Sequence, residues 1–202
     1  TDDVTPDRIK QLIESSFPSV DPNREILHII PIGYHVDGLS GVRNPVGLHA
    51  KQVEVEAHVV MGDAVALKNT VRAVQPAKVS VHSLVLESLA SAEATLTGDE
   101  REIGAVLIDI GGGTTGVTIY RQGKPWYSAV IPVGGDQLTR DLSVATRTPW
   151  QMAEDMKVKW GNVMPELVRV DEEVVIPSYE GQARRVVKRR DLSEPLQARF
   201  VE

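Results

Sequence analysis

The stretch Leu107-Ile-Asp-Ile-Gly-Gly-Gly-Thr-Thr-Gly-Val-Thr-Ile-Tyr120 places one carboxylate and three consecutive glycines between two apolar runs. The first run predicts a buried strand that ends at Asp109, and the second predicts a returning strand. Glycines permit positive φ and let backbone N–H groups close around an anion, while Thr114 and Thr115 add hydroxyls. A Walker A loop and a Rossmann fingerprint both need a helix after the glycines, so this strand–turn–strand order excludes them.

This segment predicts a phosphate-binding turn, in which Asp109 would hold Mg²⁺ mostly through waters and orient an attacking water. The alternative is a plain glycine-rich hairpin. Two later features favour the phosphate site. Gly134 and Gly135 precede a predicted helix, whose free N–H groups attract anions. Glu154 and Lys157 lie three residues apart on one helix face, either as an exposed ion pair or as contacts to a ribose and base.

Composition excludes several classes of protein. The chain has 202 residues, 25% charged and 42% hydrophobic, so its bulk is expected to fold rather than stay disordered. It contains no cysteine, which excludes disulfides and Cys-ligated metal sites. Its net charge of −6 is unfavourable for gripping nucleic-acid phosphates. No apolar run approaches the roughly 20 residues that cross a bilayer, and the Thr1 start predicts the interior of a longer protein.

The apolar patterns predict an α+β first part and a glycine-loop second part, with the change near Val85. A turn-rich segment, 36–47, is predicted to be a structured loop. The predicted helices follow Thr5-Pro6-Asp7 and cover 64–74, 86–96, 135–145 and 150–160, with a further helix starting near 192. The predicted strands, apart from the two that flank the glycine loop, cover 25–32, 53–59, 78–85, 126–133 and 173–176.

The order Asp-Ile-Gly-Gly-Gly-Thr, then Pro-Val-Gly-Gly, then Ala-Glu-x-x-Lys resembles the actin, Hsp70 and sugar-kinase superfamily. Within this superfamily, nearly the whole chain resembles the bacterial cell-division family FtsA. The segments that carry this closer resemblance include Ile29-Ile-Pro-Ile32, Gly41-Val-Arg-Asn-Pro-Val-Gly-Leu48 and Val53-Glu-Val-Glu-Ala-His-Val-Val60. The Asn-Pro-x-Gly segment and the strand after it are specific to that family, whereas the glycine loop is specific only to the superfamily.

The resemblance implies α/β and α+β structure: part of an actin-like ATPase fold with an inserted small α+β subdomain. Residues 1–82 resemble subdomain 1C, 83–98 the return through subdomain 1A, and 99–202 the first part of subdomain 2A. It implies ATP and Mg²⁺ as ligands, with Asp109 as the Mg²⁺ and water-positioning carboxylate. The resemblance also implies that the second phosphate loop consists of Gly111, Gly112, Gly113, Thr114 and Thr115. The glycine pair near the phosphates would be Gly134 and Gly135, and the nucleoside contacts would be Glu154 and Lys157.

By the same resemblance, the protein would bind ATP with weak or no ATPase activity, polymerise, and link the FtsZ ring to the cytoplasmic membrane. Its implied partners are FtsZ, further copies of itself in filaments, and later divisome proteins that contact residues 1–82. Its implied location is the cytoplasmic face of the membrane at the division site. The implied membrane contact is a C-terminal helix outside this sequence.

Two departures from the family pattern bear on the site. Gly116 stands where the family usually has an acidic residue, which affects the expected Mg²⁺ geometry. The family's first phosphate loop and adenosine motif would lie before Thr1 and after Glu202. We therefore expect ATP binding in the full-length protein, and weak or absent binding in these 202 residues alone.

Two other members of the superfamily are alternatives: a pilus-assembly actin homologue and an ATP-dependent kinase for a small substrate. A kinase needs a polar substrate pocket with a catalytic acid, and no such constellation is evident before Val81. An α+β module with an exposed strand face, at 53–60, suits protein–protein contact better. The segment from Asn44 to Gly47 disfavours the pilus homologue, by resemblance.

Overall fold

The computed structural model describes residues 2–15, 20–176 and 183–201. The chain forms two compact units, which alternate along the sequence. The first unit comprises Thr1–Asp109 and Gly116–Ala129, and the second comprises Ile110–Thr115 and Val130–Glu202. The glycine loop therefore belongs to the second unit, although the strands on either side of it belong mostly to the first. The division at 82 and 98 suggested by the resemblance stays a prediction.

The helices of the described residues are α1 Pro6–Ser15, α2 Ala64–Val74, α3 Glu87–Thr95, α4 Gly98–Ile103, α5 Gly135–Thr146, α6 Trp150–Trp160 and α7 Arg189–Val201. The strands are β1 Asp2–Asp3, β2 Arg24–Val36, β3 Leu39–Val42, β4 His49–Ala50, β5 Val53–Asp63, β6 Ala105–Ile110, β7 Thr115–Arg121, β8 Lys124–Ile131, β9 Glu173–Ile176 and β10 Arg185–Lys188. Short 3₁₀ turns cover Gln75–Ala77 and Pro165–Leu167.

The first unit contains an antiparallel sheet in the order β3-β2-β5. Ile29 pairs with Val59 across the two long strands, so the alternating residues of β5 set one face toward the core. Helix α1 covers that core, which includes Ile9, Tyr34 and Val36. The helix begins as its sequence predicts, because the Thr5 hydroxyl accepts the Arg8 N–H at 3.2 Å.

A second sheet, in the order β6-β7-β8, packs against α3. The helix approaches closely because the residues between them are small. A Cβ added at Gly116 would lie 3.1 Å from the Ser88 Cβ, and the Ser88 hydroxyl forms a buried 2.7 Å hydrogen bond with Thr118. A side chain at position 116 would press against Ser88, and α3 would have to shift by a few tenths of an ångström to admit it.

The second unit is built from α5, α6 and α7 with the antiparallel strand pair β9–β10. Its core contains Leu142, Met156, Ile176 and Leu196, each almost fully buried. Asp141 of α5 accepts the Arg199 Nε–H at 2.7 Å, which ties the first and last helices of the unit together. This packing fixes α5 and α6 against each other, and both carry predicted site residues.

Most of the predicted elements are confirmed, and two are wrong. The segment 78–85 forms no strand, because no strand among the described residues pairs with it; Val79 and Val85 are exposed instead. Its N-terminal residue, Lys78, adopts a left-handed conformation (φ 57°) that ends the preceding turn. The segment 36–47 contains β3, because Asp37 and Gly38, both at positive φ, form the tight turn of a hairpin with β2.

We expect Leu142→Ala to lower the free energy of unfolding of the second unit by about 2–5 kcal/mol, because it leaves a cavity in a fully buried site. Val144→Ala is the matched control, since Val144 lies on the same helix and is 73% exposed. Chemical denaturation followed by circular dichroism measures both changes. Equal effects of the two substitutions would contradict the described core.

Candidate functional site

The glycine loop between β6 and β7 is a tight turn. The Gly111 N–H donates to the Thr114 carbonyl at 2.9 Å, and a Cβ at Gly111 would lie 3.1 Å from that same oxygen. Gly111, Gly112 and Gly113 all avoid positive φ. The loop therefore does not use the positive φ that glycine permits; at Gly111 the requirement is space.

Two backbone N–H groups of this loop have no hydrogen-bond acceptor among the described residues. Gly112 and Gly113 are exposed, and the described residues provide no acceptor for either N–H. A polar N–H that the protein leaves unpaired at its surface is available to water or to an anion. The loop can therefore present two donors to a phosphate group.

The segment that starts with the Gly134–Gly135 pair binds the carbonyl groups of this loop. The Gly135 N–H donates to the Gly111 carbonyl at 2.9 Å, and the Asp136 N–H donates to the Gly112 carbonyl at 2.7 Å. A Cβ at Gly134 would lie only 2.5 Å from the Gly112 oxygen, so no other residue allows this approach. The N–H groups that begin α5 are thus used within the chain, and a direct contact of the pair with phosphate stays a prediction.

The two threonines of the loop have different surroundings. Thr114 is exposed and closes the turn through its carbonyl. The Thr115 hydroxyl donates to the Val133 carbonyl at 2.7 Å, which connects the loop to the segment before Gly134. Thr115 therefore has a structural hydrogen bond, and only the Thr114 hydroxyl lies on the exposed side.

Glu154 and Lys157 meet one turn apart on α6, and α5 supplies the rest of their surroundings. The Lys157 ammonium lies 2.7 Å from Glu154 Oε2, and donates to Thr139 Oγ1 at 2.8 Å and to the Gly135 carbonyl at 3.1 Å. The Thr139 hydroxyl also donates to Glu154. Lys157, followed by Thr139, holds the pKa of the Glu154 carboxyl below its usual value.

Asp109 lies in the first unit, at the end of β6. Its Oδ2 accepts the Ser91 hydroxyl of α3 at 2.6 Å, and the described residues give Oδ1 no partner. One oxygen is thus fixed, and the other is available to a cation or to water. Among the described residues, no group of three or more His, Asp or Glu side chains could hold a metal ion by itself.

The second unit brings together every predicted phosphate and nucleoside residue, either directly or through α5. Three neighbours of predicted site residues were missed: Ser91 beside Asp109 in the first unit, and Asp136 and Thr139 in the second. Thr139 follows Gly135 by four residues and so shares its helix face, a spacing that could have identified it. Ser91 and Asp136 could not be identified in this way, because the contact of Ser91 depends on how α3 packs on β6 within the first unit, and that of Asp136 on how α5 meets the loop within the second.

The curated relatives that match this chain carry the name of one family. The chain is 35% identical over 201 residues to the cell division protein FtsA of Pseudomonas aeruginosa, covering 99% of this chain and 48% of that protein. It is 35% identical over 204 residues to the protein of the same name from Borreliella burgdorferi, covering 100% of this chain and 49% of that protein. The chain therefore spans about half the length of these curated relatives.

A solved structure described as a PilM-PilN type IV pilus biogenesis complex matches with a TM-score of 0.53 at 17% identity, over 78% of this chain and 45% of the matched one. At that identity the likeness concerns the fold alone. The chain has an actin-like ATPase fold, with mixed helices and sheets, and this match agrees with that fold.

Two family models match separate parts of the chain. The model described as "Cell division protein FtsA" matches residues 106–198, which contain the glycine loop and helices α5 and α6. The model described as "SHS2 domain inserted in FTSA" matches residues 1–61, which contain most of the first unit's β3-β2-β5 sheet. The matched segments together span most of the sequence, and the chain belongs to the FtsA family of cell-division proteins.

Proposed function

We propose that this chain forms the part of an actin-like cell-division protein that holds the phosphates of ATP on the loop 111–115. The observation that supports this most is the pair of exposed N–H groups at Gly112 and Gly113, on a loop whose carbonyls are fixed by α5. Fixed N–H donors around an anion are the usual means of binding phosphate. Asp109, two residues before Gly111, supplies the carboxylate expected beside such a loop.

The residues present fit Mg²⁺ together with ATP. Mg²⁺ keeps several waters and is held by one or two carboxylates plus substrate phosphates, and not by a dedicated protein cage. Asp109, with one oxygen fixed by Ser91 and one available, meets that need. The ion would neutralise phosphate charge when bound, while Ser91 keeps the carboxylate oriented.

The proposed role in division follows from the family and from the first unit. We propose that the protein polymerises and connects the FtsZ ring to the cytoplasmic membrane, with residues 1–82 contacting other divisome proteins. Within the described residues, β5 pairs with β2 alone, so its other edge is open to a partner strand. None of the described helices is both long and apolar enough to span a bilayer.

Gly113→Pro tests the loop, because it removes one N–H donor at a position where an added Cβ meets no other atom within 4 Å. Gly113→Ala adds a Cβ there but keeps the donor, so it is the matched reference. A charge-assisted hydrogen bond contributes about 1.5–3 kcal/mol. We expect the affinity of the full-length protein for Mg²⁺-ATP to be at least about tenfold lower with proline than with alanine.

Calorimetric titration measures this difference, and circular dichroism checks that both variants fold. Equal affinities for Mg²⁺-ATP in the proline and alanine variants would show that the Gly113 N–H is not a phosphate donor. Absence of ATP binding by the unsubstituted full-length protein would overturn the proposed site altogether.

Asp109→Asn tests the predicted Mg²⁺ role while leaving the fold intact, because an amide oxygen can still accept the Ser91 hydroxyl. We expect Mg²⁺ to strengthen ATP binding by the full-length protein and to have little effect in this variant. Asp99→Asn, on the exposed start of α4, is the control. Titrations with and without Mg²⁺ measure the effect, and an Asp109→Asn variant with the original Mg²⁺ dependence would contradict the assignment.

A further inference from the structure

Helix α3 receives its N-terminal cap from another part of the first unit. Its N-cap residue is Leu86, whose side chain makes no capping hydrogen bond, although the first N–H groups of a helix need acceptors from elsewhere. The Leu86 N–H donates to His28 Nε2 at 3.0 Å, in a partly buried contact. Because a backbone N–H can only donate, Nε2 is the unprotonated nitrogen of this ring. Strand β2 thus supplies the hydrogen bond that the sequence of α3 lacks.

The face of the sheet that carries His28 is held in place by two further contacts. Ile30, two residues later on β2, packs against the core that contains Leu89 of α3. His58 lies opposite Ile30 on β5, and its Nε2 is 2.8 Å from the Ser128 hydroxyl of β8. Burial lowers the pKa of the His58 imidazole, so this ring is neutral at neutral pH. His28 therefore meets α3 from a sheet whose position is set by packing and by a second polar contact.

Helix α3 leads from this cap to the predicted Mg²⁺ carboxylate. It has nine residues, Glu87–Thr95, and so short a helix has little stability of its own. An N–H of an α-helix donates to the carbonyl four residues before it, so the backbone at Ser91 depends on the first helical residue. The Ser91 hydroxyl donates to Asp109 Oδ2 at 2.6 Å. A looser first turn would therefore release the hydroxyl that orients this carboxylate.

We propose that His28 is a positioning residue, which fixes the first turn of α3 and through it the Ser91 hydroxyl and the Asp109 carboxylate. This inference rests on the proposed Mg²⁺ role of Asp109 and extends it. His28 lies in the segment that matches the inserted-domain model, and Asp109 lies in the segment that matches the FtsA model. The inserted subdomain thus acts on the nucleotide site through α3, by way of one hydrogen bond.

Amide exchange and NMR couplings in the 202-residue chain test the geometry without any ligand. His28→Leu removes the acceptor, whereas His28→Gln keeps one, because its amide oxygen can take the place of Nε2. With leucine, we expect the Leu86 N–H to exchange about tenfold faster, as for the loss of one hydrogen bond. We also expect the three-bond couplings that report χ1 of Asp109 to change from those of one rotamer to those of several. With glutamine, both measurements are expected to match the unsubstituted chain.

His35→Leu is the control, because His35 lies on the same strand and its ring contacts Ser40 of the β2–β3 hairpin instead. Unchanged exchange at Leu86 in His28→Leu would overturn the inference, as would equal acceleration in the control. Faster exchange at Leu86 with an unchanged Asp109 rotamer would show that the cap only stabilises α3, and this result also contradicts the proposal. A glutamine variant that behaves like the leucine variant would refute the role of the acceptor.

Circular dichroism shows whether each variant folds. If His28→Leu does not fold, His28→Asn takes its place, because its side chain is one methylene shorter than glutamine and holds its amide away from the Leu86 N–H. We then expect faster exchange and an averaged Asp109 rotamer with asparagine but not with glutamine. The same behaviour in both amide variants would overturn the inference.

Titration of the full-length protein with ATP, with and without Mg²⁺, gives the second readout. We expect Mg²⁺ to strengthen ATP binding at least about threefold less in His28→Leu than in His28→Gln, with equal affinities for ATP alone. Equal effects of Mg²⁺ in the two variants would overturn the inference. If Mg²⁺ has no effect on ATP binding by the unsubstituted protein, the proposed role of Asp109 is wrong, and the exchange and coupling measurements still decide whether His28 positions that side chain.

Discussion

The backbone contact between the glycine loop and the first turn of α5 governs the rest of the second unit. A helix begins with N–H groups that have no partner inside the helix, and they need acceptors from elsewhere. Here the carbonyls of Gly111 and Gly112 are those acceptors, at 2.9 and 2.7 Å. Each such bond contributes about 1 kcal/mol net, but leaving its groups unpaired costs more. The helix thus requires the loop, and the loop takes its shape from the helix.

This contact divides the polar groups of the loop into two sets. Its carbonyls face the helix, and the N–H groups of Gly112 and Gly113 remain on the exposed side. The positive end of the α5 dipole lies behind the carbonyls and favours negative charge in its vicinity. Lys157 adds a full positive charge at the Gly135 carbonyl, and Glu154 largely offsets it, so the site does not depend on an uncompensated buried cation.

Sequence patterns predicted the local elements well, because strands and helices follow from apolar spacing and from caps such as Thr5. They failed where tertiary contacts decide. The alternating valines at 78–85 indicated a strand, but a strand also needs a neighbour to pair with, and none of the described strands lies beside it. Likewise the sequence shows that the motif glycines permit positive φ, but only the structure shows the close approach of Gly134 to Gly112, where an added Cβ would lie 2.5 Å from the Gly112 oxygen. Motifs gave the ten predicted site residues, whereas the neighbours Ser91, Asp136 and Thr139 could be named only from tertiary contacts.

A glycine in a phosphate-loop motif can be required for its conformation, for space beside a ligand, or for space beside the protein itself. Gly113 has open space around an added Cβ, Gly134 has a carbonyl oxygen 2.5 Å away, and Gly116 has Ser88 of α3 at 3.1 Å. Glycine therefore meets a different steric constraint at each of these three positions, although the sequence alone does not distinguish them. At Gly116 the constraint comes from α3, and that helix also brings the Ser91 hydroxyl to Asp109. A side chain at position 116 would therefore press on the same helix whose packing orients the Asp109 carboxylate.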